Sequence, residues 1–271
     1  MPEGHTLHRL ADTLTERFGG HRVRSTSPQG RFAEGAARVD GKVVVGAEAW
    51  GKHLLVEVDG LAERVHVHLG LWGAMAVLDG DGRPVIGQVR WRLEHPGATA
   101  DLRGPTTCEL LDPPGVDALL ARLGPDPLRP DADPSRAWAR LRTSRAPLAT
   151  QLLDQSVVAG VGNVYRAEVL FRHGIAPTMV ARDLDETAWL AVWDDLVTLM
   201  GVGVRTGRID TVRPEHEPEA MGREPRRDDH GGEVYVYRRE GQPCLLCGTP
   251  VMRADLAGRN LFWCPSCQRA G

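Results

Sequence analysis

Cys244-Leu245-Leu246-Cys247 and Cys264-Pro265-Ser266-Cys267 near the end of the chain form two Cys-x2-Cys pairs separated by 16 residues. This spacing brings two turn-borne thiolate pairs around one tetrahedral ion, so Cys244, Cys247, Cys264 and Cys267 are predicted to hold a single structural Zn2+ with no coordination position left for catalysis. A redox dithiol needs only one pair, and two disulfides do not suit a reducing compartment. Cys108, the fifth cysteine, is expected in the core. Between the pairs, Val251 to Trp263 reads as two short strands joined by a turn at Ala257-Gly258-Arg259-Asn260, with Arg259 near the tip. A metal-stiffened hairpin suits a guanidinium for phosphate contact; in isolation, a solvated turn arginine explains Arg259 equally simply.

Working upstream, Gln151-Leu152-Leu153-Asp154-Gln155 followed by Gly160-Val161-Gly162-Asn163-Val164-Tyr165-Arg166-Ala167-Glu168 reads as helix, glycine turn, helix, with Asn163 as N-cap of the second helix. Glycines such as Gly162 let a backbone approach a ligand closely, and a helix start favours phosphate. Tight helix packing accounts for a Gly-x-Gly turn about as well. Helical spacing also runs through 135–142, 148–157, 163–173 and 186–206, whereas 206–232 is rich in Arg, Glu, Pro and Gly and reads as a mobile loop. Val234 to Tyr237 alternate as a strand leading into the cysteine segment.

The first half has a different pattern. Leu7, Leu10, Ala11, Leu14 and Phe18 mark an amphipathic helix ended by Gly19-Gly20, and then 42–47, 54–58, 65–69, 89–93 and 107–111 read as strands of a sandwich or barrel. The four prolines of 125–134 mark a linker. The fold class is therefore multidomain α+β: a β-sandwich with an opening helix over 1–124, a linker over 125–134, a helical domain over 135–232 and a zinc finger over 233–271.

Length 271, 42% hydrophobic and 25% charged residues describe a globular chain and exclude wholesale disorder. No run approaches ~18 consecutive apolar residues and the start lacks an export pattern, so a cytoplasmic protein without a membrane partner is expected. Net charge of −3 does not decide for or against a polyanionic partner. Of 33 basic residues only Lys42 and Lys52 are lysines, so a retained lysine invites a chemical reason.

Three further stretches offer chemistry. In Pro2-Glu3, trimming of Met1 would expose a secondary amine, and an α-amino group titrating near ~8 is far more nucleophilic at neutral pH than a lysine near ~10.4. Its attack on a sugar C1′ gives an iminium that acidifies the C2′ proton, with Glu3 in reach for proton transfer. A plain helix start with proline in its first turn reads the same way. Trp50-Gly51-Lys52-His53-Leu54 is a turn that offers the Lys52 cation at an exposed tip. His66-Val67-His68-Leu69-Gly70-Leu71-Trp72-Gly73 is a second turn, whose Leu71 and Trp72 suit a wedge into a base stack or a cap on the sandwich. His66 and His68 lack a nearby partner that would make them metal ligands.

Taken in order, Pro2-Glu3-Gly4, Gly51-Lys52-His53-Leu54, His68-Leu69-Gly70-Leu71-Trp72-Gly73, Leu153-Asp154-Gln155 to Gly160-Val161-Gly162-Asn163 and the four-cysteine hairpin resemble the formamidopyrimidine-DNA glycosylase/endonuclease VIII family. The resemblance spans nearly the whole chain. It implies an N-terminal helix with β-sandwich, a helix-two-turn-helix domain and a zinc finger, acting as a glycosylase and abasic-site lyase on damaged double-stranded DNA. It further implies Pro2 as Schiff-base nucleophile, Glu3 as general acid/base and Lys52 as the cation assisting glycosidic cleavage. Gly162, Asn163 and Arg259 become backbone contacts, and Leu71 and Trp72 void fillers. No nucleotide cofactor and a monomer are expected. The start Pro-Glu-Gly and the Leu-Asp-Gln resemble the endonuclease VIII branch, which implies oxidised pyrimidines; an oxidised-purine enzyme or a non-catalytic damage binder are the alternatives. Thr6 stands where many members carry a second acid, so the step that acid assists is open here.

Overall fold

The computed structural model describes residues 2–227 and 232–269. The chain divides into two compact units, residues 1–122 and 123–271.

In the first unit, helix α1 (Gly4–Phe18) buries Leu7, Leu10, Ala11, Leu14 and Phe18, the stripe its sequence spacing predicts. Two four-stranded antiparallel sheets follow. One has the order β1 (Arg24–Thr26), β6 (Val89–His95), β7 (Ala98–Arg103), β5 (Ala74–Asp79), and the other β2 (Val44–Trp50), β3 (His53–Val58), β4 (Arg64–His68), β8 (Thr107–Leu111). Leu54, Val56, Val65 and Val67 share one core with Trp91, Leu93, Ala100 and Leu102 and with α1, each large side chain contributing about 1.5–3 kcal/mol on burial. Trp91 satisfies its indole N–H on Ser25 Oγ at 3.0 Å.

The sequence patterns miss β5 and β7, whose Ala-rich Ala-Met-Ala-Val-Leu-Asp and Ala-Thr-Ala-Asp-Leu-Arg have weak strand propensity and are held by pairing from Ala74↔Arg103 to Asp79↔Ala98. They also miss α2 (Ala33–Val39) and α3 (Pro113–Ala121). Asp112 caps α3 by accepting from the Gly115 N–H at 2.9 Å, and Val116 and Leu119 cover Leu55 on the outer face of β3.

In the second unit, α4 (Pro134–Leu141), α5 (Leu148–Gln151), α6 (Asn163–Arg172) and α7 (Glu186–Thr206) pack around one core. That core also includes Val251, Leu261, Phe262, Cys244 and Cys264 of the cysteine hairpin, so helices and hairpin form one unit. Helix α7 is long and apolar enough to cross a membrane by composition, yet Trp189, Val192, Trp193, Leu196 and Met200 form its buried core face and Asp195 pairs with Arg172 at 2.6 Å.

Four expectations for this half are corrected. The proline-rich 125–134 is no free linker: the Pro125 carbonyl accepts from the Ala159 N–H at 3.0 Å, Asp126 is buried, and Leu128 packs on the core. Helix does not run through 148–157 but ends at Gln151, because the Asp154 carboxylate accepts from the Ser156 N–H at 2.8 Å and turns the chain. The described part of 206–232, which excludes 228–231, contains a short helix α8 (Pro218–Met221) and is anchored where the Arg213 N–H donates to the Tyr235 hydroxyl at 2.9 Å. Residues 234–237 form no strand. Their amides turn inward to the buried Glu168 carboxylate, which accepts from the N–H groups of Tyr235, Val236 and Tyr237 at 2.6, 2.9 and 2.8 Å and from the Thr211 hydroxyl at 2.6 Å. Those donors are unavailable to a ladder, and the carboxylate fixes the entry to the cysteine hairpin against α6.

Candidate active site and nucleic-acid contacts

Glu3 is the N-cap of α1, in extended backbone. Its N–H donates to Thr6 Oγ1 at 3.4 Å and its carbonyl accepts from the Thr6 N–H at 2.9 Å, so Thr6 serves the helix start where the family resemblance led us to expect an acid. Glu3 itself is completely buried and Pro2 half-buried. Met1, whose removal the amine chemistry requires, lies outside the described residues.

Lys52 sits in the two-residue turn between Trp50 and His53, which pair across β2 and β3. Gly51 takes φ +58° there, as the first central position of a type II′ hairpin requires. The turn is half-buried rather than an exposed tip.

Helix α1 lies along β2, with Gly19 bridged to Val44 and the Thr15 hydroxyl bonded to Ala47 at 3.2 and 2.9 Å. From that tie the helix rises about 18 Å to Glu3 and the strand about 17 Å to Lys52, at ~1.5 and ~3.3 Å per residue, so both arrive at the same end of the unit. His53 pairs with His68, which places the Leu71–Trp72 turn at that end too. Trp72 is 90% exposed and Leu71 44%, so neither caps the sandwich core.

Three imidazoles at this end, those of His53, His68 and His5, are shifted toward the neutral form. Burial, and then the charges of His68, His66, Arg122 and Lys52, push His53 down to about 3, and burial with His66 and Lys52 lowers His68. Burial, followed by the amino-terminal charge, Arg9 and His8, pushes His5 down to about 4. Because the unfolded chain protonates His5 near its ordinary 6.5 and the folded one only near 4, stability is complete above pH 6.5 and falls as pH drops through that window. Thermal unfolding followed from pH 7 to pH 4 should show the first unit losing on the order of 3 kcal/mol through this group, with a shallower fall in His5→Gln.

In the second unit, Gly162 and not Asn163 is the N-cap of α6. Asn163 occupies the first turn, buried, and donates from Nδ2 to the Asn260 carbonyl at 2.9 Å. The fully buried Arg166 donates to Asn163 Oδ1 and, at 3.1 Å, to the same Asn260 carbonyl. The glycine turn and the hairpin are thereby joined, and Asn163 bonds the residue that follows Arg259 in the strand.

The hairpin consists of β9 (Met252–Leu256) and β10 (Arg259–Trp263), paired from Arg259↔Leu256 to Trp263↔Met252. Ala257 and Gly258 both have positive φ, 54° and 71°, the turn that matches strand twist. Arg259 is the first residue of β10 and is exposed. At the base of the hairpin the ligand atoms of Cys244, Cys247, Cys264 and Cys267 all lie within 4.8 Å of one another, as one tetrahedral ion requires. Four thiolates are the donor set of a structural zinc. Cys108 is buried in the sandwich core and its thiol is pushed up to about 12 by burial, hence inert.

Sequence reading passed over Arg166 and Glu168 as single residues. The available signal was two opposite charges set in the apolar run Val164 to Phe171, which forces them inside with partners.

A helix-led β-sandwich with an acid at the chain start, and a helical unit fused to a zinc-binding hairpin, define the class of zinc-finger DNA-repair glycosylases. Three family models match in order: "Formamidopyrimidine-DNA glycosylase N-terminal domain" over 1–108, "Formamidopyrimidine-DNA glycosylase H2TH domain" over 123–214 and "Zinc finger found in FPG and IleRS" over 241–270. The chain is 50% identical to Endonuclease 8 1 of Mycobacterium tuberculosis over 99% of its own length and 100% of that protein's. It is 32% identical to the formamidopyrimidine-DNA glycosylase of Parasynechococcus marenigrum over 99% of each. The Lactococcus lactis Fpg solved with abasic-site DNA shares its fold at TM-score 0.79 and 24% identity, covering 99% of this chain and 100% of that one. This chain belongs to the formamidopyrimidine-DNA glycosylase/endonuclease VIII family.

Proposed function

We propose that the protein is a bifunctional glycosylase and abasic-site lyase acting on damaged duplex DNA, with oxidised pyrimidines as its main substrates. The observation that carries this reading is the buried Glu3 capping α1 directly after Pro2, at the end of the sandwich that also holds Lys52. Freed of Met1, the Pro2 nitrogen attacks C1′ of the damaged nucleotide as the base leaves, and Lys52 assists that departure. Glu3 moves the protons. The sugar ring then opens as the C1′–O4′ bond breaks and O4′ takes up a proton, which leaves an iminium between Pro2 and C1′; this acidifies the C2′ hydrogen, and its removal expels the 3′ phosphate by β-elimination. A second elimination would release the sugar fragment. Leu71 and Trp72 fill the gap left by the extruded nucleotide, where a damaged base costs less to unstack than a sound one.

The pyrimidine assignment is supported by the half-identity to Endonuclease 8 1 and by the Pro-Glu-Gly start. Release rates measured on duplexes carrying thymine glycol, dihydrouracil or oxidised guanine test it. Faster release of either pyrimidine is expected; equal or faster release of the guanine lesion assigns the purine branch instead, and tight binding with no release makes the protein a damage sensor.

Arg259 and the main chain of the Gly162–Asn163 turn engage the phosphate backbone, the Asn163 side chain being engaged by Asn260 and Arg166. Arg259→Ala is expected to weaken binding alike on all sequences and to lower the slope of log K against log salt by about one unit, the mark of one lost phosphate contact. An unchanged slope in a salt titration places Arg259 off the DNA. The protein is taken to work as a monomer on chromosomal DNA in a bacterial cytoplasm.

A further inference from the structure

The outer face of β3, β4 and β8 carries a chain of three side chains that the mechanism above does not use. Register places His53 opposite His68, and His66 opposite Glu109, so all four lie on one face. Glu109 Oε1 is 3.0 Å from His66 Nδ1, and His66 Nε2 is 2.9 Å from His53 Nδ1. His66 is buried, whereas the Glu109 side chain is 52% exposed, so the chain runs from water to the residue that closes the Lys52 turn.

Hydrogen-bond arithmetic fixes the direction of the chain. A carboxylate only accepts, so His66 donates from Nδ1. In the tautomer whose one N–H is the Nδ1–H given to Glu109, His66 Nε2 is bare and accepts from His53 Nδ1–H. His53 Nε2 is then left without a proton. Every charged or titratable neighbour that acts on His53, namely His68 and His66 on β4, Arg122 after α3 and Lys52 in its own turn, disfavours a second proton on it. The ring therefore offers a lone pair, not a competing cation, next to the lysine.

We propose that His53 is a positioning residue for Lys52: its tautomer, set by Glu109 through His66, presents an unprotonated Nε2 that accepts from the Lys52 ammonium and holds it in place for glycosidic cleavage. This rests on the role of Lys52 given under the proposed function. A lysine left to wander by an ångström loses much of its effect on a barrier, whereas the Pro2 lyase step does not depend on it in the same way.

The test separates those two steps. Single-turnover release of a damaged pyrimidine, and borohydride trapping on ready-made abasic-site DNA, are measured for His53→Ala, His66→Ala and Glu109→Gln. Base release is expected to fall roughly tenfold or more in the two alanine variants and several-fold in Glu109→Gln, with trapping changed less than twofold. His53→Asn, which keeps a donor toward His66 and an acceptor toward the lysine, should recover part of the loss. Nitrogen-15 spectra of the whole protein at neutral pH should show His53 protonated at Nδ1 and bare at Nε2. Equal losses in both reactions, no loss in base release, or an Nε2–H tautomer of His53 overturn the proposal. A wild-type protein inactive in both reactions overturns the proposed function instead, and the spectra still decide the tautomer.

Discussion

Glu3→Gln is expected to fold and melt like the wild type and to lose about 10²–10⁴-fold in single-turnover base release, the range over which a positioned general acid/base contributes. The substitution conserves size in a fully buried pocket and leaves the backbone bonds between residue 3 and Thr6 untouched, so the helix start survives. What it removes is the capacity to give and take a proton beside Pro2. No second carboxylate stands at position 6, where Thr6 is engaged in starting α1, so backup from that position is absent. A loss below tenfold in quenched-flow measurements would take Glu3 out of the chemistry.

The second large effect concerns the metal. Elemental analysis should find one zinc per chain, and removing it with a strong chelator, or substituting Cys264→Ser, should lower the unfolding temperature of the second unit and abolish measurable DNA binding. The reason lies in how little the hairpin's own strand pairing contributes. Its two strands share five residue pairs, and β9 is exposed along Met252 to Asp255. Cys244 and Cys264 belong to the same core as the helices, so loss of the ion loosens that core along with the strand bearing Arg259. Asn260, whose carbonyl receives Asn163 and Arg166, would move with it. Retention of both stability and binding after complete zinc removal would show that protein contacts alone suffice.

The parts of this molecule most legible in sequence were those with a period or a fixed spacing. The α1 stripe, seven of the ten strands among the described residues and the four cysteines follow from side-chain alternation and ligand geometry, which are local rules. Elements defined by distant partners were not legible. β5 and β7 exist because they pair with each other, and 234–237 looks like a strand until the Glu168 carboxylate, more than sixty residues away, takes its amides. The candidate site divides in the same way. Pro2, Glu3, Lys52, Asn163 and Arg259 were picked out by motif, but that Gly162 caps α6, that Arg166 ties Asn163 to the hairpin, and that His53 and His66 form a directed chain all depend on pairing across the fold. Short-range patterns assign residues to elements; only three-dimensional contacts say what each residue is doing there.

The mechanism stands on the secondary amine of Pro2, and sodium borohydride reduction in the presence of abasic-site duplex tests it most directly. After reduction and proteolysis, mass spectrometry should locate the sugar remnant on the amino-terminal peptide, with Met1 absent and the modification on Pro2, and Pro2→Gly should bind the duplex without an adduct of comparable yield. An adduct mapping to Lys52 or any other lysine, or full lesion cleavage by protein that retains Met1, would contradict it.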